Sequence, residues 1–96
     1  MRFCFHAAAE WEFDEAVTYY ETRQAGLGLE FAEEVHAAIA RIIQYPDAWS
    51  LMSPNTRRCL VNRFPYGVIY RVKSGVVFVV AVANIHRRPA YWKNRT

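Results

Sequence analysis

Past residue 47 the chain holds no aspartate and no glutamate. All nine acids come earlier, as Glu10, Glu12, Asp14, Glu15, Glu21, Glu30, Glu33, Glu34 and Asp47, among only three bases, Arg2, Arg23 and Arg41. The C-terminal half therefore offers no carboxylate as a general base. Other shortages exclude further classes. Two cysteines, Cys4 and Cys59, are too few for a disulfide framework, and both read as small buried apolar residues that stay thiols in reducing cytosol. The longest apolar run, Val76 to Ala83, is strand-sized and far short of a membrane span, so no membrane partner is expected. The opening Met1-Arg2-Phe3-Cys4-Phe5-His6 lacks the apolar region of a signal peptide, and a cytoplasmic location is expected. The histidines stand apart. His6 reads as a strand-end residue and His36 has no second ligand at metal spacing, so no metal and no other cofactor is expected.

What is present fits one folded unit over residues 1–96, without repeats or linkers. Apolar and aromatic residues make up 53% of the chain, enough for a core without staples. The nine bases after residue 47 are Arg57, Arg58, Arg63, Arg71, Lys73, Arg87, Arg88, Lys93 and Arg95. Seven are arginines, whose planar fork suits phosphate and carboxylate. Such a polarised chain suggests a face for a polyanion or an acidic protein; the plainer alternative is a solvated basic surface.

Periodicity gives the elements. Arg2 to His6 alternates as a short strand. Ala7 to Gln24 reads as a helix with Ala9, Phe13, Ala16, Val17 and Tyr20 on one stripe, stopped by Gly26 and Gly28. Leu29 to Tyr45 reads as a second helix, ended by Pro46. Asp47 to Thr56 reads as a loop. Strands follow at Arg57 to Phe64, Gly67 to Lys73 and, after a Ser74-Gly75 turn, Val76 to Asn84. The last is apolar on both parities and should be covered on both faces. The expectation is an α+β fold: a helical hairpin on one face of a sheet that contains a three-stranded antiparallel meander. The N-terminal strand then pairs on the meander's open side, giving the order first, fourth, third, second. In that order Cys4 and Cys59 lie on opposite outer strands, three steps of about 4.8 Å apart and beyond disulfide reach.

Several local phrases, in this order, carry a family resemblance. Tyr19-Tyr20 precedes Gly26-Leu27-Gly28 with Phe31, Glu34 and Val35. Arg57-Arg58 precedes Phe64-Pro65-Tyr66, Ile69-Tyr70 and Val72. Ala81-Val82-Ala83 precedes Arg87-Arg88-Pro89 and Tyr91-Trp92. Together they resemble the RelE/ParE toxin superfamily over nearly the whole chain. One departure is that relatives often have His directly after the Ala-Val-Ala phrase, where this chain has Asn84 and places His86 two residues on. The resemblance implies a growth-inhibiting toxin of a type II toxin–antitoxin pair, silenced by a cognate antitoxin with an acidic C-terminal segment. It implies one of two targets. A ParE-like protein binds DNA gyrase; a RelE-like one cuts mRNA on the ribosome without a metal.

The residues singled out for the active surface are Arg57, Arg63, Arg71, Arg88 and Tyr91, with Arg87 able to close the group. Arg57 and Arg63 share strand parity and are expected on one sheet face, where Arg71 can join them. RNA cleavage needs a base for the 2′-hydroxyl, a cation for the phosphorane and an acid for the leaving oxygen. Arginines supply the cation. The base is missing: Lys73 stands beside a turn, His86 is alone, and Tyr91-Trp92 reads more readily as a docking anchor. Trp11 falls opposite the apolar stripe of its helix, which marks either a contact surface or a site buried by later segments.

Overall fold

The computed structural model describes all of residues 1–96. The chain runs β1 (Arg2–Phe5), α1 (Ala7–Arg23), α2 (Leu27–Gln44), β2 (Ser50–Ser53), β3 (Thr56–Leu60), β4 (Tyr66–Lys73) and β5 (Val76–Asn84), with a final 3₁₀ turn at Lys93–Arg95. His6 closes β1 and caps α1: its Nδ1 accepts the Ala8 N–H at 3.0 Å. That satisfies one of the four amide donors a helix start leaves free.

Gly26 caps α2 with φ 89°, a left-handed conformation that glycine adopts without the cost a side chain would bring. Gly28 has another role than the stop expected of it, since it lies inside α2. A Cβ there would stand 2.6 Å from the Val17 carbonyl oxygen and 2.9 Å from Glu21 Cβ. The two helices cross closely at this point because Gly28 has no side chain. Glu21 locks the crossing, accepting the Gly26 N–H at 2.9 Å and the Gly28 N–H at 3.0 Å.

The helical hairpin covers one face of the sheet. Phe31, Val35, Ala38, Ile39 and Ile42 from α2 are fully buried against Val68, Tyr70, Val77, Val79 and Val82. Each large side chain removed from water in this way stabilises the fold by roughly 1.5–3 kcal/mol before entropy is charged against it.

The sheet has five strands in the order β1-β5-β4-β3-β2. The four expected strands take their expected sequence, with Val76 to Asn84 inside the sheet between the N-terminal strand and the Ile69 strand. Two features correct the expectation. The segment read as a loop contains β2, which pairs with β3 through Leu51 and Arg57 and becomes the outer edge. β2 is short and largely exposed, so it has no apolar alternation to give it away. The sheet is also mixed, because β1 runs parallel to β5, with Phe3 beside Val77. Cys59 consequently sits one strand in from the edge, still three strands from Cys4. Both are free thiols; Cys59 is buried as expected, whereas Cys4 is exposed.

β5 is apolar on both parities because both of its faces are covered. A bulge makes this possible: Ile69 pairs with Ala81 and Tyr70 with Val79, leaving Val80 as the extra residue. Val79 and Val82 face the helices, while Val80, Ala81 and Ala83 face the other way with Ile69. On that second face lies the C-terminal tail, whose Trp92 is buried among those four residues.

Candidate functional site

The tail is fastened by a carboxylate from the other end of the chain. Glu12, on α1, is buried. Its Oε1 accepts the Val82 N–H at 3.1 Å and Arg95 Nη1 at 2.9 Å. Its Oε2 accepts the Tyr91 hydroxyl at 2.7 Å and Arg95 Nη2 at 3.1 Å. Two guanidiniums lie over the Tyr91 ring, Arg87 at 4.0 Å and Arg95 at 5.1 Å from its centroid. Burial, reinforced by the hydrogen bond to Glu12 and by its charge, pushes the Tyr91 phenol well above the ordinary range; the two arginines pull less strongly the other way. Tyr91 is thus a protonated donor committed to Glu12, and it is a poor proton acceptor. Trp92 is an anchor, as the sequence suggested, but it docks onto its own sheet.

Beside the tail, at the end of β3, β4 and β5, a cavity of about 120 Å³ opens on the face away from the helices. Arg58, Arg87 and Arg88 line it together with Ile69, Ile85 and Trp92. The Arg58 Nε is buried there without a hydrogen-bond partner. Arg71 lies on the same sheet face further along, over the ring of Phe78 at 5.8 Å, its cross-strand neighbour.

The expected residues are therefore divided between surfaces. Arg57 stands opposite Tyr70 and shares its side of the sheet, where its Nη1 donates to the Trp49 carbonyl at 2.8 Å. Burial pushes the Tyr70 phenol up to about 12 against the pull of Arg57, and its hydroxyl donates to the Pro46 carbonyl. Arg63 is not on a strand at all, because β3 ends at Leu60 and the backbone at Arg63 turns with φ 71°. Its guanidinium reaches back to α2, 2.6 Å from Glu30 and 3.7 Å from Glu34. The expectation that Arg57 and Arg63 share one sheet face with Arg71 is corrected: the strand is shorter than it reads, and the Arg57–Tyr70 register puts Arg71 on the opposite face, although Arg57 and Arg71 both line a depression with Tyr70 and Leu51. Of the five named residues, Arg71 lies on the tail side of the sheet over Phe78, and Arg88 and Tyr91 line the cavity there.

Arg58 and Glu12 carry the site and were not singled out. A signal for Arg58 existed. Cys59 and Val61 are apolar and share parity with Arg57, which assigns that parity to the core and Arg58 to the other face. Glu12 gave no such signal, since its partners lie at least 70 residues away. Trp11 is 64% exposed and Tyr19 49% exposed on the outer side of α1, so the contact-surface alternative for Trp11 agrees with the fold. They border a shallow depression shared with Tyr66, Asn84 and Arg87. His36 packs its ring edge-on to Phe3 and Phe13, a structural placement. No group of three or more His, Cys, Asp or Glu side chains is arranged to hold a metal ion. No helix is long and apolar enough to cross a membrane.

No curated protein matches the sequence. Among solved structures, one described as the chromosomal ParDE TA system from P. aeruginosa superposes with a TM-score of 0.73 at 17% identity, over 88% of this chain and 95% of that one. At that identity the likeness concerns the fold. The profile of the family described as "ParE toxin of type II toxin-antitoxin system, parDE" matches residues 4–89, from β1 into the tail that packs on the sheet. The chain belongs to the ParE toxin family of type II toxin–antitoxin systems.

Proposed function

We propose that this toxin stops growth by binding DNA gyrase and that a cognate antitoxin silences it by laying an acidic C-terminal segment on its basic surface. The observation that supports binding over cleavage is the character of the tail-side surface. Arg58, Arg71, Arg87 and Arg88 supply cations, but the nearest hydroxyl, that of Tyr91, donates to Glu12 and holds its proton. Glu12 itself is taken up by Arg95, Tyr91 and the Val82 amide. Cations around a cavity whose lining contains neither a carboxylate nor an imidazole suit recognition of acidic protein groups better than in-line RNA cleavage, which needs a base.

The active surface we assign comprises Arg58, Arg71, Arg87 and Arg88; of the five residues named from the sequence, Tyr91 positions the tail through Glu12, and Arg57 and Arg63 are outlying contacts for the antitoxin or target. The decisive experiment is a pair of assays with the purified chain. Gyrase supercoiling should be inhibited, and translating ribosomes should show no new mRNA cleavage. Cleavage on ribosomes with unaffected gyrase would replace this reading with the RelE-like one. Alanine variants at the five positions, each checked for folding by antitoxin binding, should lose toxicity at Arg71 or Arg88. If all five stay fully toxic, the exposed Trp11 and Tyr19 face of α1 becomes the better candidate.

A further inference from the structure

Three arginines around a small cavity can be a solvated patch or a receptor, and two local features separate these. The first is Gly67 on β4. A Cβ there would stand 2.8 Å from Arg58 Cδ and 2.9 Å from Arg58 Cγ. The aliphatic stem of Arg58 therefore lies flat on the bare backbone of β4, in space that any other residue would fill. With its stem seated there, Arg58 forms part of the cavity wall. The second is the buried Arg58 Nε, which has no partner. A buried N–H without an acceptor is unfavourable unless something supplies one.

We propose that this cavity is a receptor for one carboxylate side chain of an acidic protein segment, with the Arg58 fork taking the carboxylate and Arg87 and Arg88 flanking it. The proposal rests on the reading of the chain as the partner of an acidic antitoxin and gives that contact a place. The arginines differ in how committed they are. Arg63 is held by Glu30, Arg95 by Glu12, and Arg57 donates to the Trp49 carbonyl. Arg58 lines the cavity with its Nε buried and unpartnered, and none of the cavity's lining residues is acidic. Guanidinium and carboxylate match as two parallel hydrogen bonds, and in the side-on arrangement one of them comes from Nε.

Size and lining choose a protein over a nucleic acid. The cavity, about 120 Å³, is well below the roughly 300–1,000 Å³ of ordinary small-molecule sites, a size that suits one side chain. Ile69, Ile85 and Trp92 give it apolar walls, against which the methylenes of a glutamate pack while its head reaches Arg58. A phosphodiester has no such apolar stem.

The test uses the full chain labelled with nitrogen-15 and an N-acetylated peptide of alternating glutamate and leucine. The Arg58 Nε–H resonance, identified by its disappearance in Arg58→Lys, should move downfield and saturate as the peptide is added. Loss of one charge-assisted bidentate contact should weaken binding about tenfold or more, for the glutamine version of the peptide and for Arg58→Gln alike. Arg2→Gln, which removes one exposed charge on β1 and touches neither the cavity nor any assigned contact, should leave affinity nearly unchanged. Gly67→Ala keeps every charge but displaces the Arg58 stem, and it should weaken binding as Arg58→Gln does; an unchanged far-ultraviolet spectrum shows that it folds. An unmoved Nε–H, equal binding of the two peptides, or a shift produced by a single-stranded RNA oligonucleotide and not by the peptide would overturn the proposal. Neither gyrase nor antitoxin enters this measurement, so its failure is separate from failure of the supercoiling assay.

Discussion

Glu12 and Arg95 are 83 residues apart in sequence and meet through two hydrogen bonds of 2.9 and 3.1 Å. Their meeting protects a strand edge. β1 pairs with β5 only from Val76 to Val79, so beyond that point the same edge of β5 is open. Glu12 takes the Val82 N–H and Arg95 takes the Val80 carbonyl at 3.2 Å. An ion pair thus stands where another strand would otherwise add, a hazard that long apolar edges carry.

Removing either partner leaves a buried charge behind. Glu12→Ala and Arg95→Ala are each expected to cost about 3 kcal/mol, near the lower end of the range for broken buried pairs because Arg95 keeps some solvent contact. The double variant should cost clearly less than the two losses added, since the second change removes an already unpaired group. Urea denaturation of the four proteins measures the coupling. Strict additivity would mean that the pair does not act as a unit.

Stability should fall in alkali, and the sign follows from the phenols. Burial first of all raises both Tyr70 and Tyr91, and it raises Tyr20 as well. In the unfolded chain these groups release their protons near pH 10, while the folded chain holds them. Their contribution is therefore intact below about pH 10 and is lost as pH climbs toward about 12, the folded value for Tyr70. Urea midpoints taken from pH 8 upward should be level and then decline, and Tyr70→Phe should flatten part of the decline. A midpoint that rises above pH 10 contradicts this.

Replacing glycine by alanine inside a helix ordinarily stabilises it by about 0.5–1 kcal/mol. Gly28→Ala should do the opposite, because the new methyl would meet the Val17 carbonyl oxygen at 2.6 Å, an atom of backbone that has little room to move. A loss of about 1–3 kcal/mol, typical of overpacking, is expected in thermal unfolding. An increase in Tm would show that the helices separate at no cost.

The two thiols should differ sharply. Cys4 is exposed, whereas Cys59 is buried and burial raises its thiol above the ordinary value in spite of the nearby Arg41. Iodoacetamide on the folded chain should label Cys4 and spare Cys59, and denaturant should release the second group. Equal rates in the folded state would place Cys59 outside the core.

Much of the fold was legible from local pattern. The helical stripes, the two-sided strand from Val76 and the turn at Ser74-Gly75 each state their element within a few neighbouring residues. The alternation that assigns Cys59 and Val61 to the core also assigns Arg58 to the opposite face, so that half of the site was present in the sequence. β2 was not, because an exposed edge strand is defined by its partner's hydrogen bonds and needs no apolar pattern of its own.

What the sequence determined by itself is the separation of charge, with every acid before residue 48, and the order of the two helices and of every strand but β2. Which cations stay free was decided only in three dimensions. Glu12 and Glu30 return across the fold to hold Arg95 and Arg63, while Arg58, Arg87 and Arg88 gather around a cavity whose lining contains no acid. A salt bridge forms wherever packing brings opposite charges within a few ångströms. Packing is set by the crossing of α1 and α2 at Gly28 and by the seat of Trp92 on the sheet, and neither distance is written in the spacing of the charges along the chain.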